Sequence, residues 1–255
     1  MRNVWLIWRK EMRSYFVSPI AYILLLMFAL IFGAFFYVFL QGYLQFSMEA
    51  MMRGEAFPMN VPEEITRRLL GNVPITSLWI IPLLSMRLFA EEKRQGTIEL
   101  LTTSPIHDGE VILGKWLAAS TLYLCLLFVS AINIGFLFIY SHPDWKPILV
   151  AYLGLFLQGV ALLALGTFIS TLTKNQIIAG AATFGVCLLI FICGWFGEYN
   201  TETWSRVLAY MSISTHMESF TKGTLDLKDA IYYVTVIFVG LFLTARSMES
   251  LRWRS

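Results

Sequence analysis

Charged residues are scarce in this chain. Only 14% of its 255 residues are Asp, Glu, Lys or Arg, whereas 57% are hydrophobic. Ordinary globular proteins carry about 25% charged residues, so this chain lacks the charge to cover a water-facing surface of its size. The net charge of +2 at pH 7 also excludes nucleic-acid binding based on bulk basicity. The composition indicates a membrane protein.

Disulfide-forming and metal-binding residues are also few. Cys125, Cys187 and Cys193 all lie inside long apolar runs, where thiols behave as small buried hydrophobes, so a disulfide framework is not expected. The three histidines are far apart along the chain and have no H-E-x-x-H or C-x-x-C motif nearby. No metal site is predicted, and no cofactor is expected to bind to this chain itself.

Six apolar stretches are long enough, or nearly long enough, to cross a bilayer as a helix of about 20 residues. The only Lys, Arg, Asp or Glu within them is Arg87, near one end of the second stretch, where it can snorkel to the interface. The stretches predict an all-α membrane protein with six transmembrane helices in a single domain, residues 1–255. They are residues 20–40, 74–90, 116–139, 148–170, 177–196 and 230–245.

The lack of charge within these stretches excludes several functions. Ion-coupled transporters usually place Asp, Glu or His at mid-membrane depth, and intramembrane aspartyl or metal-dependent proteases need clustered acids or histidines there. Neither pattern is present. Residues 109–116 fit part of a phosphate-binding loop, but Trp116 replaces the Ser or Thr that would hold Mg²⁺ and no predicted strand precedes the loop. The chain is therefore not expected to be an enzyme or to bind ATP.

The basic residues are distributed unequally between the two sides of the membrane. Six spans put both termini on one side, and twelve of the 19 Lys and Arg residues fall on that side, against seven on the other. The positive-inside rule places both termini in the cytoplasm. The expected location is the bacterial cytoplasmic (inner) membrane.

The first residues and the two long outer segments carry helix signals of their own. Residues 3–17 predict an amphipathic helix in the cytoplasmic interface, or an ordinary helical extension into water, with arginines opposite an apolar face. In the outer segment 41–73, Pro62 begins and Gly71 ends a predicted short surface helix. The apolar face of the first helix comprises Trp5, Trp8, Met12 and Tyr15.

The second outer segment, residues 197–229, contains apolar residues at helical spacing. This spacing predicts either a helix that dips back toward the membrane or a plain extracytoplasmic helix. The residues are Trp204, Val207, Leu208 and Met211.

The polar segment 91–108 joins the second and third spans. Gly96 breaks the preceding helix, Thr97 is suited to cap the next one, and Pro105 prevents its continuation. The result is a predicted helix of about two turns whose apolar side chains are too many for a free cytoplasmic turn. They pack against the chain's own spans or dock into a groove of a cytoplasmic partner. These side chains are Ile98, Leu100 and Leu101.

This segment resembles the coupling-helix signature of ABC-2 type ABC transporter permeases. It most resembles the branch that contains the gliding-motility permease subunit and the permease of nitrous-oxide-reductase maturation. The similarity covers nearly the whole chain and includes the Gly114-Lys115 pair. The residues of the segment that carry it are Glu91, Glu92, Gly96, Thr97, Glu99, Leu100, Leu101 and Pro105.

The resemblance implies an ABC-2 (type V exporter-like) permease fold, with residues 3–17 as its elbow helix and re-entrant helices after span five. It also implies a second permease subunit, identical or different, and two cytoplasmic ABC ATPases that bind ATP and Mg²⁺. The residues that would couple to the ATPase are Glu91, Glu92, Gly96, Thr97, Ile98, Glu99, Leu100, Leu101, Ser104 and Pro105. A secondary contact would involve Thr173, Lys174, Asn175 and Gln176.

The expected function is that of the transmembrane subunit that couples ATP hydrolysis by a partner to transport. The alternative is a membrane scaffold or mechanotransmitting subunit that acts on an extracytoplasmic protein without moving a solute. The length of outer segment 41–73 indicates such an auxiliary partner.

Overall fold

The computed structural model describes residues 2–53, 61–98, 106–140, 143–199 and 203–252, and within these ranges the chain is helical with no strand. The helices are α1 (Arg2–Val17), α2 (Pro19–Arg53), α3 (Val61–Ser85), α4 (Ala90–Gln95), α5 (Asp108–Tyr140), α6 (Trp145–Leu172), α7 (Gln176–Tyr199), α8 (Thr203–Met211), α9 (Ile213–Thr221) and α10 (Leu227–Arg252).

Six of these segments are long and apolar enough to cross a membrane. They are α2, α3 continued by α4, α5, α6, α7 and α10, in the order of the six predicted spans. The all-α, multi-pass architecture is confirmed. The helices extend beyond the apolar stretches at most of their ends. The helix α2, for example, continues through the more polar residues 41–53.

The predicted end of a helix at Gly71 is wrong. The helix α3 continues through Gly71 without a break. Leu69, Leu70 and Val73 beside the glycine are at most 1% exposed. Burying three such side chains stabilises the helix by several times the roughly 1 kcal/mol that an internal glycine costs.

The helix α6 lies at the centre of the bundle and contacts α3, α5, α7, α9 and α10. Glycines allow its neighbours to approach its backbone. A Cβ atom at Gly159 would lie 2.0 Å from the ring of Tyr123 on α5. Similar contacts join Gly154 to Phe220 of α9, Gly166 to Ser85 of α3, and Gly240 of α10 to Ala164.

The chain after α7 returns along that helix. The hydroxyls of Ser212 and Ser214, between α8 and α9, lie 3.4 and 3.3 Å from the carbonyl oxygen of Phe191. Phe191 is eight residues before the end of α7, so the chain comes back by about 12 Å at 1.5 Å per residue. This geometry favours a helix that dips back toward the membrane over a plain extracytoplasmic helix.

A buried polar cluster fastens α9 to the start of α10. His216 and Asp229 are each 3% exposed, and the imidazole Nδ1 lies 2.7 Å from the Asp229 carboxylate. The other carboxylate oxygen accepts a hydrogen bond from Ser219. The ring of Tyr232 stacks on the imidazole with a centroid separation of 4.0 Å, and the imidazole Nε2 lies 2.9 Å from the Tyr210 carbonyl oxygen.

Candidate functional site

The helix α4 leads into the predicted coupling segment and ends where the sequence predicts. Gly96 adopts the left-handed conformation with φ of 72°, which favours glycine because a side chain there would be strained. Thr97 donates a hydrogen bond from its hydroxyl to the carbonyl oxygen of Glu92. Within the described residues, the Thr97 hydroxyl therefore serves the end of α4, in addition to any role at the start of the next helix.

The start of α4 is held by a side chain from the fourth span. The backbone N–H groups of Phe89 and Ala90 both donate to the Ser170 hydroxyl oxygen at 3.1 Å. That hydroxyl donates in turn to the carbonyl oxygen of Met86 at 3.2 Å. Ser170 is completely buried at the end of α6, so it fixes the lead-in to the coupling segment against the central helix.

A buried lysine joins α4 to the first helix and to the third span. The Lys115 ammonium lies 2.9 Å from a carboxylate oxygen of Glu11 on α1 and 2.8 Å from one of Glu92 on α4. The lysine side chain is 4% exposed, and the two glutamates are 15% and 14% exposed. We call these three residues the ionic junction. It connects α1 to α5 through Glu11 and Lys115, which are 104 residues apart in the sequence.

The glycine before this lysine permits the junction to form. A Cβ atom at Gly114 would lie 2.8 Å from the side chain of Ile7 and 3.1 Å from the carbonyl oxygen of Val4. Only a glycine lets α1 approach α5 this closely. The Gly114-Lys115 pair therefore has a structural explanation here, and the lysine is engaged by carboxylates instead of being available to a phosphate.

A second buried cation lies beside the ionic junction. Arg87 has a side chain that is only 14% exposed, and its Nε lies 3.4 Å from a carboxylate oxygen of Glu91. Arg87 thus pairs with an acid one helical turn later, and its predicted position at the membrane interface stays a prediction. Its guanidinium lies 5.8 Å from the ring centroid of Tyr15. Burial of Tyr15 raises the pKa of its phenol, which therefore stays neutral at all physiological pH values.

The short loop between α6 and α7 lies next to α4. The Lys93 ammonium donates a hydrogen bond to the carbonyl oxygen of Thr171, whose hydroxyl reaches Ser247 of α10 at 2.8 Å. Asn175 accepts from the N–H of Ile177 at 2.9 Å and so caps α7. The loop that follows Thr171 is the predicted secondary contact, Thr173, Lys174, Asn175 and Gln176, and in it Lys174 and Asn175 are exposed.

Part of the predicted coupling segment lies outside the described residues. This applies to Glu99, Leu100, Leu101, Ser104 and Pro105. Ile98, the last described residue before them, is half-buried and packs against the hydrophobic core. The structure therefore places the base of the segment and its attachments, while the role of its apolar tip stays a prediction.

The apolar face of the first helix packs in part against the rest of the chain. Trp8, Met12 and Tyr15 of this face make that contact. The Trp8 indole N–H donates to the Thr121 hydroxyl of α5 at 3.0 Å, and Trp5 stacks on Trp8 with 4.5 Å between ring centroids. The apolar pattern of α1 therefore serves contact with α5, and the position of α1 in the membrane interface stays a prediction.

Two functional-site residues were not recognised in the sequence. Ser170 carries no signal beyond its place in an apolar span, and Glu11 is one acid among the charges of α1. Their partners are 80 and 104 residues away. Contacts over such separations leave no periodic pattern, so only the fold reveals them.

Comparison with known proteins agrees with this architecture. The family described as ABC-2 type transporter matches residues 2–223. A curated relative, the probable multidrug ABC transporter permease YbhR of Escherichia coli (strain K12), is 25% identical over 159 residues, which are 61% of this chain and 42% of the relative. The protein of the same name from Escherichia coli O157:H7 gives the same figures. The matched region is thus less than half of these relatives.

The family match covers most of the chain, and the described helices include six that can cross a membrane. This chain belongs to the ABC-2 type transporter family of multi-pass membrane proteins.

Proposed function

We propose that this chain is the permease subunit of an ATP-driven transporter, in which a separate cytoplasmic ABC ATPase binds ATP and Mg²⁺ and acts on residues 91–108. A second permease subunit, identical or different, completes the transporter. The observation that carries the proposal is the attachment of α4 to three other helices by polar contacts with little solvent exposure. Lys115 binds both Glu92 of α4 and Glu11 of α1, and Ser170 binds the start of α4.

The ionic junction gives the proposal a physical basis. A segment that receives force from a partner needs attachments that do not yield, and a lysine shared by two buried carboxylates is costly to separate because each charge would be left without a counterion. A displacement of α4 is therefore expected to carry α1 and α5 with it through Lys115, and α6 through Ser170.

The cargo that we propose is an apolar or amphipathic compound. The spans lack charged residues in their central parts, which suits an apolar or amphipathic compound better than an ion. The name of the Escherichia coli relative, a probable multidrug permease, supports the same class of cargo.

A second candidate function is mechanical work on an extracytoplasmic protein without solute movement. The helix α2 has 35 residues and is about 52 Å long, whereas the hydrocarbon core is about 30 Å thick. Met48, Met51 and Met52 near its end are more than 60% exposed, which suits contact with a partner protein. The resemblance to the gliding-motility and nitrous-oxide-reductase maturation branch supports this candidate. ATP-dependent accumulation of a solute in vesicles that contain this permease and its ATPase would exclude this candidate.

The coupling proposal is tested by replacing Leu101 with aspartate. A docked helix concentrates its binding energy in a few buried anchors, and an unpaired charge in an apolar groove costs several kcal/mol. We expect Leu101→Asp to abolish co-purification of the ATPase from native membranes, or to lower transport-coupled ATP hydrolysis at least tenfold, while the permease remains inserted.

Two matched variants complete this experiment. Arg94→Ala changes an exposed residue of α4, within the same segment 91–108, and should retain the ATPase. The conservative variant Leu101→Met should retain it as well. Lys93 is unsuitable as a control, because it contacts Thr171. Wild-type ATPase recovery and activity in Leu101→Asp would show that the segment only packs locally, and the coupling proposal would be wrong.

The proposed orientation, with both termini in the cytoplasm of a bacterial inner membrane, has its own test. The twelve-to-seven distribution of basic residues supports it. Single cysteines at Glu63 and Glu202 should react with a membrane-impermeant maleimide added to intact cells, whereas a cysteine at Arg94 should react only after lysis. Labelling of Arg94→Cys in intact cells would show that the orientation is the opposite of the one proposed.

A further inference from the structure

The outward face of α1 carries cations without acidic partners. Arg9, Lys10 and Arg13 are exposed, and none of them forms an ion pair with any acid in the part of the chain that the structure describes. Lys115 and Arg87, in contrast, are paired with glutamates. The face therefore has three positive charges that nothing in the described chain neutralises.

Apolar side chains lie among these cations. Leu6 and Phe16 are 53% and 37% exposed, and their spacing to Arg9 and Arg13 places all four on one side of the helix. Together with the cations they line an open groove of about 660 Å³. A surface that combines unpaired cations with exposed apolar groups matches a ligand that is negatively charged at one end and apolar at the other.

The position of this groove in the chain favours a lipid as that ligand. The helix α1 ends at Val17, and the chain turns at Ser18 into the span α2. Val17 and Tyr22, on either side of the turn, are 78% and 57% exposed, so the groove is continuous with the apolar outer surface of the first span. A lipid headgroup at the membrane boundary would lie beside it.

We propose that the outward face of α1, with Arg9, Lys10, Arg13, Leu6 and Phe16, binds an acidic phospholipid. The arginines contact the phosphate, because a guanidinium donates two parallel hydrogen bonds to phosphate oxygens, and Leu6 and Phe16 contact the upper part of an acyl chain. The inner face of the helix is already occupied by α5, which leaves this basic face toward the membrane.

Native mass spectrometry of the full chain in detergent, titrated with dioleoyl phosphatidylglycerol or dioleoyl phosphatidylcholine, tests the proposal. Each cation near an anionic membrane surface contributes about fivefold to affinity. We expect phosphatidylglycerol to bind at least tenfold more tightly than phosphatidylcholine. The double variant Arg9→Gln/Arg13→Gln should lower phosphatidylglycerol affinity about 25-fold. It should lower phosphatidylcholine affinity by a much smaller factor, because the choline ammonium already offsets the charge of that phosphate.

The matched control removes two exposed cations elsewhere, in the double variant Lys222→Gln/Lys228→Gln. It should retain phosphatidylglycerol binding, and size-exclusion profiles should show that both double variants are folded. Equal binding of the two lipids, or an equal loss in the control, would overturn the proposal. So would unchanged lipid binding in Arg9→Gln/Arg13→Gln together with loss of a co-purifying protein, which would identify the face as a protein interface.

Discussion

Replacing Lys115 with methionine should lower the free energy of unfolding of this protein by at least about 3 kcal/mol. The substitution keeps the length of the side chain but leaves the carboxylates of Glu11 and Glu92 facing each other without a cation. Breaking a buried ion pair by removing one partner costs about 3–5 kcal/mol, because the remaining charge stays desolvated. The loss is measurable as a lower midpoint in thermal or denaturant unfolding of the detergent-solubilised protein.

Two further variants establish the cause of that loss. Lys222→Met breaks an exposed pair with Glu218, whose side chains are 53% and 62% exposed, and should cost less than about 1 kcal/mol. The triple variant Lys115→Met/Glu11→Gln/Glu92→Gln removes all three charges and should recover most of the stability, because neutral groups of similar volume need no counterion. A Lys115→Met loss no larger than that of Lys222→Met would contradict the ionic junction.

The triple variant also separates stability from coupling. If it folds and retains the ATPase, its ATP-driven activity reports whether the three helices must be linked by charge or only held in place. If α4 acts through the ionic junction, that activity should fall, since neither the lysine nor the two carboxylates that link the helices would remain.

The second large effect is expected from Asp229→Ala. The carboxylate accepts from Ser219 and faces His216, and both residues would lose a partner inside a site where His216 is only 3% exposed. We expect a loss of about 3 kcal/mol or more. Because the cluster fastens α9 to α10, hydrogen exchange should rise first in residues 203–221.

The control for this second variant lies on α9, the helix that Asp229 fastens to α10. Glu218→Ala removes an acid whose side chain is 62% exposed and pairs with Lys222, so the free energy of unfolding should change by less than about 1 kcal/mol. Equal effects of the two substitutions, or exchange that rises uniformly over the chain, would show that the His216 and Asp229 pair does not hold α9.

The architecture was predictable because each membrane helix is determined by a contiguous stretch of the sequence. Six apolar stretches identify six membrane helices, since each must satisfy its own backbone hydrogen bonds in lipid. Gly96 is a second example, because its left-handed conformation follows from residue type and position alone. At Gly71 the same local reasoning fails, since burial of Leu69, Leu70 and Val73 depends on helices that are distant in sequence.

The candidate site was predictable only in part. The sequence identified the segment that contains Glu92 and Gly96, but the partners of that segment come from α1, α5 and α6. In the sequence, Lys115 fits part of a phosphate-binding loop in which Trp116 replaces the Mg²⁺ ligand. Its actual role depends on Glu11, 104 residues earlier, a relation that neither spacing nor hydropathy encodes.

The glycine contacts of α6 have a consequence for how motion spreads through the molecule. A ring lying directly on a helix backbone leaves no flexible side chain between the two elements to take up a shift, as at Gly159 against Tyr123 and Gly154 against Phe220. From Ser170, where α4 is attached, to Gly154 is sixteen residues, or about 24 Å of helix. An axial shift of α6 that begins at Ser170 is therefore passed on to α9 at the opposite end with little of it lost to elastic deformation.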